Sequence, residues 1–184
     1  MTEPEWVAAL RSPTDHPLRV LIAGSRALPR QSAPRLLLNF VASLPDDALV
    51  LVRGRANGKQ GDFERDVRAL CRIAGLNVQV CAPWPTQKPS GYLEVNDEEW
   101  WSVIGREGVL LRDRTMVDLA DVVLAFIEDW QLERPEFSGT RHIVETAFAR
   151  DKATFLYALN PEGKVRQIGN HDPLNAWSEK VPQP

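Results

Sequence analysis

The sequence predicts an α/β fold: a Rossmann-like, doubly wound, mainly parallel sheet of about five strands with helices on both faces. Three observations point there. Val122, Val123, Leu124, Ala125, Phe126 and Ile127 form an apolar run with no polar alternation, the pattern of a strand buried on both faces in a parallel sheet. Strand-like and helix-like segments alternate from Leu18 to Ala158, as successive βαβ units require. Glycine-rich turns stand directly after the first two apolar strands, where doubly wound sheets hold their ligands.

Composition bounds the rest. A chain of 184 residues, 43% of them hydrophobic, supports one domain with a full core. A net charge of −3 gives no global attraction to nucleic acid or to an anionic membrane, so a small ligand is expected and nucleic acid is not. No apolar run approaches the roughly 18 residues of a spanning helix, and no charged-then-apolar leader opens the chain. The protein is therefore expected to be soluble and cytoplasmic, without a membrane partner. Cys71 and Cys81 lie in apolar patterns without a set of metal-ligating neighbours, so free buried thiols and no metal site are expected.

Residues 1–17 read as an N-terminal arm, with apolar anchors at Trp6, Val7, Ala8 and Leu10 before Pro13 and Pro17 break the pattern. Leu18 to Gly24 is the first strand. Leu36, Leu37, Phe40, Val41 and Leu44 recur at helical spacing, with Pro34 where a first helical turn tolerates it. Ala48 to Arg53 is the second strand. Phe63, Val67, Leu70, Cys71 and Ala74 then share a helical face that begins after Asp62 and stops at Gly75. Leu76, Val78 and Val80 alternate as a third strand.

Residues 84–108 form an insertion much longer than the usual connection of about four to six residues. It carries Trp84, Tyr92, Trp100 and Trp101, which suit either a lid that stacks on a bound base or an apolar cover on the sheet edge. A helical segment through Leu111–Met116 closes at Asp121 and leads into the central strand. After the loop Gln131–Phe137, Ser138-Gly139-Thr140 opens a helix through Ile143, Val144, Ala147 and Phe148, and Ala153–Ala158 is the last strand. Residues 161–184 read as an irregular tail with one anchor, Trp177.

The candidate ligand residues cluster at the turns. Gly24, Ser25 and Arg26 follow the first strand, and Gly54, Arg55 and Gly58 follow the second. Ser138, Gly139, Thr140 and Arg141 open the helix after the central strand, and Arg112 and Arg114 precede it. Small residues permit close backbone approach, a helix N-terminus presents amides to an anion, and guanidinium groups pair with phosphate oxygens. A phosphate-bearing, nucleotide-type ligand is expected, with no other cofactor. Neither the three-glycine dinucleotide fingerprint nor the Lys-Ser/Thr of a P-loop is present. Gly54→Val or Gly139→Val is expected to block the ligand while leaving the fold largely intact.

Leu-Ile-Ala-Gly-Ser-Arg26, Arg-Gly-Arg-Ala-Asn-Gly58, Arg112-Asp-Arg-Thr-Met116 before Ala120-Asp-Val-Val-Leu-Ala-Phe126, and Ser138-Gly-Thr140 together resemble the SLOG superfamily. That group joins the SMF/DprA proteins to the LOG nucleotide phosphoribohydrolases, and the chain looks most like its small stand-alone bacterial and phage branch. The resemblance covers about residues 18 to 158 and implies a Rossmann-like domain that binds a nucleotide or a nucleotide-derived signal, to sense or sequester it. It also implies pairing into a homodimer.

LOG enzymes pair an arginine, matched by Arg114, with a glutamate three residues after the threonine of the glycine turn. Ile143 stands at that position here, and Glu145 lies two residues further on. His142 reads either as a proton carrier or as a solvated or capping side chain. Asp113 reads as a solvated helix-face residue or an ion-pair partner. The missing glutamate favours a binding module over a hydrolase of the N-glycosidic bond, and the acidic chain without a basic stripe argues against DNA binding.

Overall fold

The computed structural model describes residues 7, 10, 16–25, 33–54, 62–83, 105–128, 139–160 and 164–171. Its strands are β1 (Arg19–Gly24), β2 (Leu49–Arg53), β3 (Asn77–Cys81), β4 (Val122–Glu128), β5 (Ala153–Leu159) and β6 (Val165–His171). Its helices are α1 (Ala33–Ala42), α2 (Asp62–Ile73), α3 (Gly105–Leu119) and α4 (Gly139–Ala149).

The sheet order is β3-β2-β1-β4-β5-β6. Strands β1 to β5 pair in parallel, and β6 pairs antiparallel with β5. The chain runs outward from β1 through β2 to β3, then returns to place β4 on the other side of β1. Strand order therefore reverses between β1 and β4, and at such a point the connections diverge to leave a crevice outside the carboxyl ends of the strands.

Alternate side chains of the central strands enter two cores. Val20, Ile22, Val50, Val52, Leu124 and Phe126 pack with Leu37, Phe40 and Val41 of α1 and Phe63, Val67 and Cys71 of α2. Leu21, Ala23, Leu51 and Val123 pack with Met116 and Val117 of α3 and Ile143 and Ala147 of α4. Both faces are covered, which is why β1 and β4 read as unbroken apolar runs. Val7 and Leu10 of the expected arm are buried in the second core, so these residues belong to the domain's packing.

Local chemistry fixes the ends of the elements. Gly75 takes a φ of 75° after α2, a left-handed conformation that glycine adopts without steric cost. Lys152 Nζ donates to the carbonyls of Asp118 (3.1 Å) and Ala120 (2.8 Å), where the end of α3 leaves acceptors unpaired. The Arg19 amide donates to Asp121 Oδ2 at 2.8 Å, which joins the start of β1 to the turn before β4.

Two stretches differ from the sequence reading. Within the expected irregular tail, Val165–His171 is strand β6, and the Asn160 amide donates to the Lys164 carbonyl (3.0 Å) to close the hairpin from β5. Residues 105–108, counted with the insertion, already belong to α3. The rest of the insertion, with Trp84, Tyr92, Trp100 and Trp101, lies outside the described residues, as do the 129–138 loop and Trp177.

Both cysteines are free and buried. Burial pushes the Cys71 thiol up to about 11 and the Cys81 thiol further still, so both stay protonated and unreactive near neutral pH. Among the described residues no helix is long and apolar enough to cross a membrane, and no group of three or more His, Cys, Asp or Glu side chains is placed to hold a metal ion.

Candidate functional site at the strand ends

Two arginines knit together the carboxyl ends of β1 and β2 and the start of α4. Arg53 closes β2, and its Nε and Nη2 donate to Glu64 Oε1 of α2, with separations of 3.1 and 2.9 Å. The same Nη2 donates to the Gly24 carbonyl at the end of β1 and to Thr140 Oγ1 in the first turn of α4, the latter at 3.2 Å. Arg112 of α3 donates from Nε and Nη2 to Asp113 Oδ1, each at 2.8 Å, and from Nη1 to the Gly54 carbonyl at 2.6 Å.

All four charged side chains are largely withdrawn from water: Glu64 and Arg112 are buried, Asp113 is 0% exposed, and the Arg53 side chain is 13% exposed. Charges in such a place persist only when paired and hydrogen-bonded, because desolvation costs several kcal/mol per ion. Each pair meets that condition by bonding to backbone carbonyls or to a neighbouring hydroxyl as well as to each other.

The glycines leave room for protein atoms. A Cβ on Gly24 would stand 2.6 Å from three atoms of the Phe63 ring, which itself packs at 5.8 Å on Phe126. On Gly54 it would lie 2.9 Å from Val80 Cγ1 and 3.3 Å from the Cys81 carbonyl, and on Gly139 it would lie 2.9 Å from Arg53 Nη1. The expectation that Gly54→Val leaves the fold intact is therefore corrected: an isopropyl group there overpacks the β2–β3 seam, a change that typically costs about 1–3 kcal/mol. At Gly139 the same group meets the Arg53 guanidinium.

The backbone shows a second departure. The Gly54 amide donates to the Cys81 carbonyl (2.8 Å) and the Ser25 amide to the Phe126 carbonyl (3.0 Å), so each extends the sheet ladder by one rung. Neither amide is available to a phosphate. The amides at the start of a helix that lie beyond the reach of its own carbonyls belong here to α4, at Gly139 and Thr140.

Of the residues singled out from sequence, the structure gathers Gly24, Ser25, Gly54, Arg112, Gly139 and Thr140 at one end of the sheet. Arg112 is placed differently from the expected ligand contact, since its guanidinium is engaged by Asp113 and Gly54. Asp113 is likewise an ion-pair partner in the interior and not a solvated residue. Arg114 is exposed on α3, and Arg141 pairs with Glu145 on the surface of α4 at 2.7 Å. Ile143 is fully buried and His142 is partly buried. Arg26, Arg55, Gly58 and Ser138 lie outside the described residues.

Arg53 and Glu64 were not singled out as site residues, although the sequence carries a signal for them. Arg53 ends an apolar strand, and Glu64 precedes Val67 and Cys71 at the spacing of one helical face. An acidic residue on the buried face of a helix that follows such a strand calls for a basic partner. A cavity of about 550 Å³ lined by Arg65, Arg68 and Arg72 lies elsewhere, between the end of α2 and the start of β3, and has no part in this cluster. No protein-family model matches the chain, and no curated protein is significantly similar to it in sequence.

Proposed function

We propose that the chain binds a nucleotide or nucleotide-derived signal molecule in the crevice outside the carboxyl ends of β1, β2 and β4, as its resemblance to SLOG proteins implies. The supporting observation is that Gly24, Gly54 and the first turn of α4 meet where strand order reverses, held together by Arg53 and Arg112. In this reading the first amides of α4 receive phosphate, favoured by the positive end of the helix dipole. Arg114, exposed one residue beyond the buried pair, supplies the guanidinium that Arg112 does not.

Ligand capture, for sensing or sequestration, is favoured over glycosidic cleavage. The position where LOG enzymes carry glutamate is the core residue Ile143, and Glu145 is paired with Arg141 on the surface. Cleavage through an oxocarbenium-like transition state needs a carboxylate at the reacting carbon.

Arg114→Ala is expected to weaken nucleotide affinity about tenfold to a hundredfold, the loss of one charge-assisted hydrogen bond, with no change in melting temperature without ligand. Titration calorimetry with a panel of nucleoside monophosphates and dinucleotides measures this, and chromatography of the same mixtures should show no released base. Equal affinity in both proteins removes Arg114 from the site, and release of free base restores the hydrolase.

A further inference from the structure

The four charges beneath the first turn of α4 cancel: Arg53 and Arg112 against Glu64 and Asp113. The floor of the crevice is thus polar and electroneutral, and phosphate has no net cation to meet there. One atom in it is left over. Asp113 Oδ1 takes both contacts from Arg112, whereas Asp113 Oδ2 is buried with no hydrogen-bond partner among the described residues. That oxygen stands 3.8 Å from where a Cβ on Gly139 would lie, at the start of an 11-residue helix.

A buried acceptor without a donor is costly, and in native proteins such a group marks a missing partner. The partner here must bring a hydrogen, because a phosphate oxygen beside a carboxylate is repelled. The adjoining α4 amides ask for the opposite, an acceptor or anion. A molecule that satisfies both carries a hydroxyl close to an anionic group, which is the chemistry of a sugar phosphate.

We propose that Asp113 Oδ2 accepts a hydrogen bond from a ribose hydroxyl of the bound nucleotide, so that the site selects ribonucleotides over nucleotides whose sugar lacks its vicinal hydroxyls. This rests on the nucleotide reading above and adds to it a ligand-contacting residue and a sugar specificity. Arg53 holds the start of α4 over Asp113 through Nη2, which donates to the Gly24 carbonyl and to Thr140 Oγ1.

The test is titration calorimetry of the full chain and of Asp113→Asn with ribonucleoside 5′-monophosphates, their 2′,3′-dideoxy counterparts and inorganic phosphate. The ribonucleotide should bind the natural chain at least about tenfold more tightly than its dideoxy form, the worth of a hydrogen bond to a charged acceptor. In Asp113→Asn that preference should fall below about threefold. If the variant does not fold, the comparison of ligands on the natural chain decides alone. Equal binding of both sugars overturns the sugar specificity while leaving nucleotide binding in place, as when buried water already serves Oδ2. A preference unchanged in Asp113→Asn gives the hydroxyl to another group and overturns the assignment, and binding of no nucleotide at all overturns both readings.

Discussion

Arg53→Ala is expected to destabilise the fold by about 3–5 kcal/mol, the usual result of removing one partner from a buried ion pair. Glu64 loses both of its contacts with Arg53 in the interior, and the Gly24 carbonyl and Thr140 hydroxyl lose a donor in the same step. For a domain of this size the change corresponds to a drop in melting temperature of roughly 6–20 °C. Much of that cost belongs to the carboxylate left behind. The double variant Arg53→Met, Glu64→Leu should therefore recover most of the stability, since apolar residues of similar volume often replace a buried pair without loss. Thermal unfolding of the two variants side by side gives the answer: a double variant as unstable as the single one would mean that the bonds to Gly24 and Thr140 matter more than the stranded charge.

Arg112→Ala should cost a similar amount, about 3–5 kcal/mol, because Asp113 is 0% exposed and would stay behind without its cation. The Gly54 carbonyl also loses its 2.6 Å donor, and with it the tie between the end of β2 and α3. This outcome separates two roles for the residue. A surface guanidinium that only touches ligand would leave the melting temperature unchanged when removed. Denaturant unfolding without ligand measures the difference, and Arg112→Lys should rescue only in part, since an ammonium lacks the fork that reaches Asp113 and Gly54 together.

Much of the architecture was legible in the sequence for a physical reason. Strands buried on both faces leave an unbroken apolar signature, and Gly75 ended α2 where a left-handed residue was needed. Strand β6 was not legible. Val-Arg-Gln-Ile-Gly-Asn-His171 has no sustained apolar alternation, because an edge strand is held by its ladder to β5 and by the hairpin at Asn160, with a register shift at Leu156/Tyr157.

Of the glycines singled out from sequence, Gly24, Gly54 and Gly139 stand together at the carboxyl ends of the strands, and their immediate neighbours are Phe63, Val80 and Arg53. Helical period, more than nearness in sequence to a glycine turn, decides where Arg112 points, and it turns the guanidinium inward to Asp113 and Gly54. Arg112 and Met116 are four apart, as are Asp113 and Val117, and all four are buried, whereas Arg114 falls on the exposed side. Helical period places Glu64 on the buried face of α2, but it does not name its partner, because Arg53 lies across a turn at the end of β2.

Mass spectrometry under non-denaturing conditions, on the full chain incubated with a mixture of nucleotides and then desalted, tests whether the strand-end crevice is a nucleotide site. The expected spectrum shows one nucleotide retained per chain, released intact on denaturation, and retained to a much smaller extent in Arg114→Ala. A folded chain that retains no nucleotide, or retains one equally well in Arg114→Ala and Asp113→Asn, would contradict binding at the ends of β1, β2 and β4.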